Sequence, residues 1–225
     1  VPVLLVGHSM GGAVATGVAE AASARTETRG RSWIPAGLVV IDAVEGTAMM
    51  SLGSVAQLLA DRPASFTSEA SAVDWSLSAG IVRNPESARL SVPAQLRMVK
   101  GTDTATTAPV AAGAAATAAI TAATGDGRRR QRQWVWRTDL LASRGHWEGW
   151  YAGLSDRFLK AGGKAVPKVL VLAGMDRLDK TLTIGQMQGL FQLSVLRGCG
   201  HAVQEDKPEK LAQVLLEFCR RRKLL

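Results

Sequence analysis

The chain has 225 residues, 47% hydrophobic and 20% charged, a balance that supports one ordinary globular domain and excludes a disordered chain. No apolar run approaches the ~20 residues of a membrane span, and two cysteines, Cys199 and Cys219, make no disulfide framework and favour a reduced, intracellular compartment. The formal net charge of +8 comes from dispersed basic residues, apart from short clusters at 128–132 and 220–223, so it reads as solvated surface, with nucleic-acid binding the alternative.

In chain order, residues 3–6 are a continuous apolar run, as expected of a strand buried on both faces. Residues 11–24 are rich in Ala and other small side chains and predict a helix packed closely on a sheet. A second apolar run covers 37–41 and ends at Asp42. Residues 51–100 read as helices over 54–60, 68–79 and 85–99, inserted between sheet strands as a helical cap over the site. Residues 101–126 are low-complexity Ala, Thr and Gly, and a disordered loop is expected over 101–133. Apolar runs at 168–172 and 193–196 predict two more strands, and 206–222 has helical spacing with Leu211, Val214, Leu215 and Phe218 on one face. Strands alternating with helices predict an α/β fold, a mostly parallel sheet with helices on both faces. Its core segments are 1–50 and 166–225, and the insertion is 51–165.

The chemistry concentrates at Gly7-His8-Ser9-Met10-Gly11, a G-x-S-x-G match followed by Gly12. It closes an apolar strand and opens a small-residue helix, the context of a nucleophile elbow. A sharp turn there lifts the Ser9 hydroxyl above the sheet edge, and the tight backbone calls for small neighbours, Gly7 and Gly11. The helix N-terminus adds positive potential where an oxyanion develops, and the Met10 N–H is the expected oxyanion donor. No Lys follows, as a P-loop requires, and the glycine spacing is not that of a dinucleotide site. The chain opens at Val1 inside this strand, so it reads as a piece of a longer protein whose N-terminal strands and second oxyanion donor lie upstream.

A serine hydroxyl needs a base. Of three histidines, His201 lies in a loop after the last strand, where it can serve. His8 adjoins Ser9 and His146 adjoins Trp147, and both read as structural. Cys199 reads as a small packing residue. Two acids could orient His201: Asp42, at the end of the second strand, and Asp176, after the third. Position slightly favours Asp176, and the residues alone leave both open.

Longer strings carry a resemblance. Ile41-Asp42-Ala43-Val44-Glu45-Gly46-Thr47-Ala48-Met49, Arg83-Asn84-Pro85-Glu86-Ser87-Ala88-Arg89, the run from Leu172 to Lys180, the run from Thr183 to Gly189 and Cys199-Gly200-His201-Ala202-Val203 resemble the protein phosphatase methylesterases. The likeness spans the chain except 22–32 and 101–133. It implies an α/β-hydrolase fold and removal of the methyl ester from the C-terminal leucine of the type 2A protein phosphatase catalytic subunit, in the cytoplasm or nucleus. It implies no cofactor, no metal, and neither nucleic acid nor membrane as partner. It assigns the triad as Ser9, Asp42 and His201, which moves the acid to Asp42 and leaves Asp176 a structural or substrate-side role. Residues 25–33 are an addition to the family pattern, and the large insertion is Ala/Thr-rich with a basic end where the family's is acidic. Trp75, Trp147 and Trp150 are candidates for a groove that takes the phosphatase tail, with core packing the alternative. The rival functions are a generic carboxylesterase or lipase and an inactive phosphatase-binding protein.

Overall fold

The computed structural model describes residues 2–29, 33–100 and 132–224. The chain begins with β1 (Leu4–His8), α1 (Met10–Arg29), β2 (Gly37–Ile41) and α2 (Glu45–Ala60). The insertion continues with β3 (Ser65–Phe66), α3 (Glu69–Ser78), α4 (Pro85–Ala94), β4 (Leu96–Lys100) and β5 (Arg132–Trp136). After a 3₁₀ turn at Leu141–His146 come the short helices α5 (Trp147–Tyr151) and α6 (Leu154–Lys160). The chain closes with β6 (Lys168–Leu172), a 3₁₀ turn at Met175–Arg177, α7 (Lys180–Met187), β7 (Gln192–Val195), α8 (Val203–Asp206) and α9 (Pro208–Arg221).

Four parallel strands form the main sheet in the order β1-β2-β6-β7. Register pairs such as Val6↔Val39, Val39↔Val169 and Val169↔Gln192 align all four. The two central strands are buried along their whole length, so they read as continuous apolar runs rather than alternating ones. Side chains still alternate between faces. Leu38, Val40, Leu170 and Leu172 pack toward α1 and Phe158 of α6, while Val39, Ile41, Val169 and Val171 pack toward Leu211 and Phe218 of α9. Small residues let α1 lie close: a Cβ on Gly12 would come within 2.9 Å of Val40 Cγ1, and Ala13 and Ala19 are buried beside it.

The insertion differs from the expected helical cap. It contains a three-stranded antiparallel sheet, β3-β5-β4, backed by α3 and α4. The helix expected over 85–99 ends at Ala94, because Leu96 and Met98 pair with Trp136 and Trp134 of β5, partners far along the sequence. Arg132 and Gln133, expected in the loop, are the first residues of β5, and the helix expected over 54–60 is the second half of α2. The rest of the expected loop, 101–131, lies outside the described residues. Phe66, Trp75 and Trp136 form an aromatic cluster with centroids 5.5–6.0 Å apart, which seats Trp75 in this layer's own core. The helix expected over 206–222 is divided at Lys207, whose φ of −138° and ψ of 56° are not helical. Pro208 disfavours the helical conformation at the residue before it. Among the described residues, no helix is long and apolar enough to cross a membrane.

Candidate active site

Strand β1 ends at His8, and Ser9 turns the chain into α1 with φ +54°, a left-handed conformation that a non-glycine residue adopts only where its surroundings hold it. The turn is tied down by Ser9 N–H to Ile41 O at 2.9 Å and Gly12 N–H to Ser9 O at 2.8 Å. A Cβ on Gly7 would lie 2.0 Å from Gly11 O, whereas a Cβ on Gly11 would meet nothing within 4 Å. Crowding therefore demands glycine at 7 and 12, and the expected steric reason for Gly11 does not hold. Met10 is the first residue of α1, where a backbone N–H has no partner within the helix.

Asp42 follows β2 and also has positive φ, +50°. Its side chain is wholly out of solvent, and its carboxylate is met from three directions. Ala173 N–H donates to Oδ1 at 3.1 Å. His201 Nδ1 donates to Oδ2 at 2.8 Å, and Arg177 Nη1 donates to the same oxygen. Protonation on Nδ1 leaves Nε2 of a neutral ring as the basic nitrogen. Asp176, the rival acid, is exposed, and its Oδ1 sits over Gly174, 2.2 Å from where a Cβ would be. The structure thus joins His201 to Asp42 and leaves Asp176 apart.

The loop carrying His201 is held on several sides. His8 Nε2 donates to His201 O at 2.8 Å, and the two rings lie 4.7 Å apart. Asp206 accepts from Gly200 N–H and from Arg83 N–H, both at 2.6 Å, and Ser91 donates to Glu205, so the insertion is bonded to this loop. Burial, and then the neighbouring His201, lower the His8 pKa. Burial raises the Cys199 thiol, which donates to Leu196 O. This is the environment of a packing residue, not of a nucleophile.

No hydrogen bond joins Ser9 Oγ to the His201 ring. The Ser9 hydroxyl instead meets Tyr151 Oη at 3.4 Å. Tyr151 and Arg177 are the site residues that sequence reasoning missed. Each is placed by residues of the family-like strings. Glu45 accepts from Gly153 N–H at 2.8 Å, fixing the turn just after Tyr151. Thr47 Oγ1 donates to Arg177 O at 2.7 Å. Asp179 accepts from Ser155 Oγ at 2.5 Å and from Leu182 N–H at 2.8 Å. Trp147 is buried and Trp150 packs against the main core; a hollow of about 430 Å³ between α2 and α5 is lined by Leu52, Arg144 and Trp147.

Residues 1–214 match the family described as the alpha/beta hydrolase family. The chain is 43% identical over 222 residues to a probable protein phosphatase methylesterase 1 of Caenorhabditis elegans, covering 98% of this chain and 50% of that protein. It is 42% identical over 231 residues to protein phosphatase methylesterase 1 of Rattus norvegicus, covering 96% and 56% respectively. The chain spans about half the length of the curated relatives it matches. Among solved structures, an esterase of M. tuberculosis aligns with TM-score 0.59 at 21% identity, over 96% of this chain and 62% of that one. E-2-(acetamidomethylene)succinate hydrolase aligns with TM-score 0.59 at 15% identity, over 97% and 67%. At such identities the likeness is one of fold.

Proposed function

The chain belongs to the alpha/beta hydrolase family, and from that premise we propose that it is the catalytic part of a serine carboxylesterase that removes the methyl ester from the C-terminal leucine of the type 2A protein phosphatase catalytic subunit. Ser9, His201 and Asp42 are its triad. The observation that carries this reading is the His201 Nδ1–Asp42 Oδ2 bond, at the sheet edge where Ser9 stands on its positive-φ turn. The relatives' designation as protein phosphatase methylesterases supports the methyl ester as substrate.

In the reaction, His201 Nε2 takes the Ser9 proton as Oγ attacks the ester carbonyl. Asp42 holds the imidazole tautomer and stabilises the imidazolium. The oxygen that becomes negative faces the Met10 N–H at the start of α1. His201 returns the proton to the departing methoxide, methanol leaves, and water repeats the sequence on the acyl-enzyme. Ser9 Oγ turns from Tyr151 toward His201 for this step; catalytic hydrogen bonds commonly tighten only in the substrate complex.

The test pairs fluorophosphonate labelling with methanol release from a phosphatase tail peptide methylated at its C-terminal leucine. Labelling of Ser9 with preference for that peptide over short-chain esters is the expected result. Labelling with the opposite preference makes the chain a generic carboxylesterase, and absence of labelling makes it a binding protein.

A further inference from the structure

Asp42 Oδ2 carries two donors, His201 Nδ1 at 2.8 Å and a guanidinium nitrogen of Arg177. We propose that Arg177 is a positioning residue of the ester hydrolysis: it holds Asp42 Oδ2 in place and sets the acid end of the pH range over which His201 works as a base. The inference rests on the proposed triad.

The Asp42 side chain has no solvent exposure, while that of Arg177 keeps 28% and that of His201 keeps 53%. A carboxylate removed from water needs a counter-charge as well as donors. Ala173 N–H is a neutral donor. Among the described residues, Arg177 is the one arginine or lysine bonded to the carboxylate, so it keeps the charge of Asp42 in place before any imidazolium exists.

Its position is not that of a loose surface side chain. Arg177 ends the 3₁₀ turn after β6, and Thr47, in the first turn of the helix that follows Asp42, binds its carbonyl at 2.7 Å. Gly46 N–H reaches Asp179 Oδ2 at 3.4 Å beside it. The segments that follow the two central strands are therefore bonded to each other around the carboxylate.

The arrangement has an electrostatic consequence. A guanidinium on Oδ2 offsets the charge that stabilises an imidazolium on the same oxygen, and it repels that imidazolium directly. His8, whose ring lies 4.7 Å from that of His201, is the titratable side chain that faces the imidazole from β1, and Arg177 faces it from the other side of Asp42.

The experiment follows the pH dependence of fluorophosphonate labelling at Ser9 in the wild type, Arg177→Gln and Arg177→Lys. In Arg177→Gln the acid limb moves to higher pH, and in Arg177→Lys, which keeps the charge, it stays near the wild type. Superimposed limbs for wild type and Arg177→Gln overturn the proposal, as does an equal displacement in Arg177→Lys. NMR titration of the His201 ring in a Ser9→Ala background reads the same displacement without turnover, so failure of the esterase reading leaves the measurement intact. If Arg177→Gln does not fold, Thr47→Val, which frees the Arg177 backbone, gives a smaller displacement in the same direction; no displacement there sinks the idea.

Discussion

His8 Nε2 donates a hydrogen bond to the main-chain oxygen of His201 at 2.8 Å, so the residue before the nucleophile holds the loop of the base. To donate through Nε2 while Nδ1 faces Gln204 Nε2 at 3.4 Å, the ring must be neutral. Burial first, and the adjacent His201 second, hold the His8 pKa below its ordinary 6.5. The folded state therefore binds this proton less readily than the unfolded chain does. The sign follows: the stabilisation is complete above pH 6.5 and is lost as pH falls below it, toward the depressed folded value. The melting temperature of the wild type is expected to fall on acidification through this window, and that of His8→Gln to fall less. Calorimetry on both proteins at matched ionic strength checks this, and parallel curves would remove His8 as the source.

The elbow glycines make a sharper mechanical test. Gly7→Ala drives a Cβ to 2.0 Å from Gly11 O, a backbone atom that cannot rotate away. Overpacking of this kind typically costs about 1–3 kcal/mol, and here the strain falls on the turn that presents Ser9. Gly11→Ala meets open space on the first turn of α1, where replacing glycine gains at most the roughly 0.5–1 kcal/mol of a helix interior. Urea unfolding of the two variants is expected to move the midpoint in opposite directions. A Gly11→Ala protein as destabilised as Gly7→Ala would show that the motif glycines act as a unit.

Much of the hydrolase core is legible in the sequence because its strands are fully buried. The runs at 37–41 and 168–172 coincide with β2 and β6, since a strand covered on both faces needs no partner to be recognised. The elbow is legible for the same local reason: strand, turn and small-residue helix are contiguous. The choice between Asp42 and Asp176 is not. Both follow central strands, and which carboxylate meets the imidazole depends on the turn after each strand, φ +50° at Asp42 against a carboxylate folded over Gly174. The pairing of β4 with β5 is invisible too, because its partners are separated by the low-complexity stretch. Tyr151 reaches Ser9 only through tertiary packing, and no local signal marks it.

That same strand pair predicts how the insertion responds to shortening. Lys100 and Arg132 are register partners at the open end of the β4–β5 ladder, so the two strands can be closed directly. An Asn-Gly turn suits a two-residue hairpin connection. Replacing residues 101–131 with Asn-Gly is expected to leave the melting temperature and ester hydrolysis close to wild type, since the removed stretch has few large apolar side chains. Loss of cooperative unfolding in the shortened protein would show that the stretch contributes to the core.

The acid assignment yields the largest kinetic contrast. Asp42 is the carboxylate bonded to His201 Nδ1, so Asp42→Asn presents an amide that favours the wrong imidazole tautomer, a change worth ~10⁴ in kcat in a comparable triad. Asp176 is exposed and has no bond to the ring, so Asp176→Asn is expected to turn over near the wild-type rate, with a stability change within about 0.5 kcal/mol. Asp42→Asn has a second consequence, because it leaves Arg177 without its counter-charge. Removing one partner of a buried pair costs about 3–5 kcal/mol, and the 28% exposure of the Arg177 side chain puts this case at or below the lower end. The two effects separate experimentally: steady-state kinetics read the tautomer, and urea unfolding reads the lost pair. A low rate in a protein of nearly wild-type stability assigns the loss to chemistry. The reverse ranking, with Asp176→Asn the slower enzyme, transfers the acid's role to Asp176.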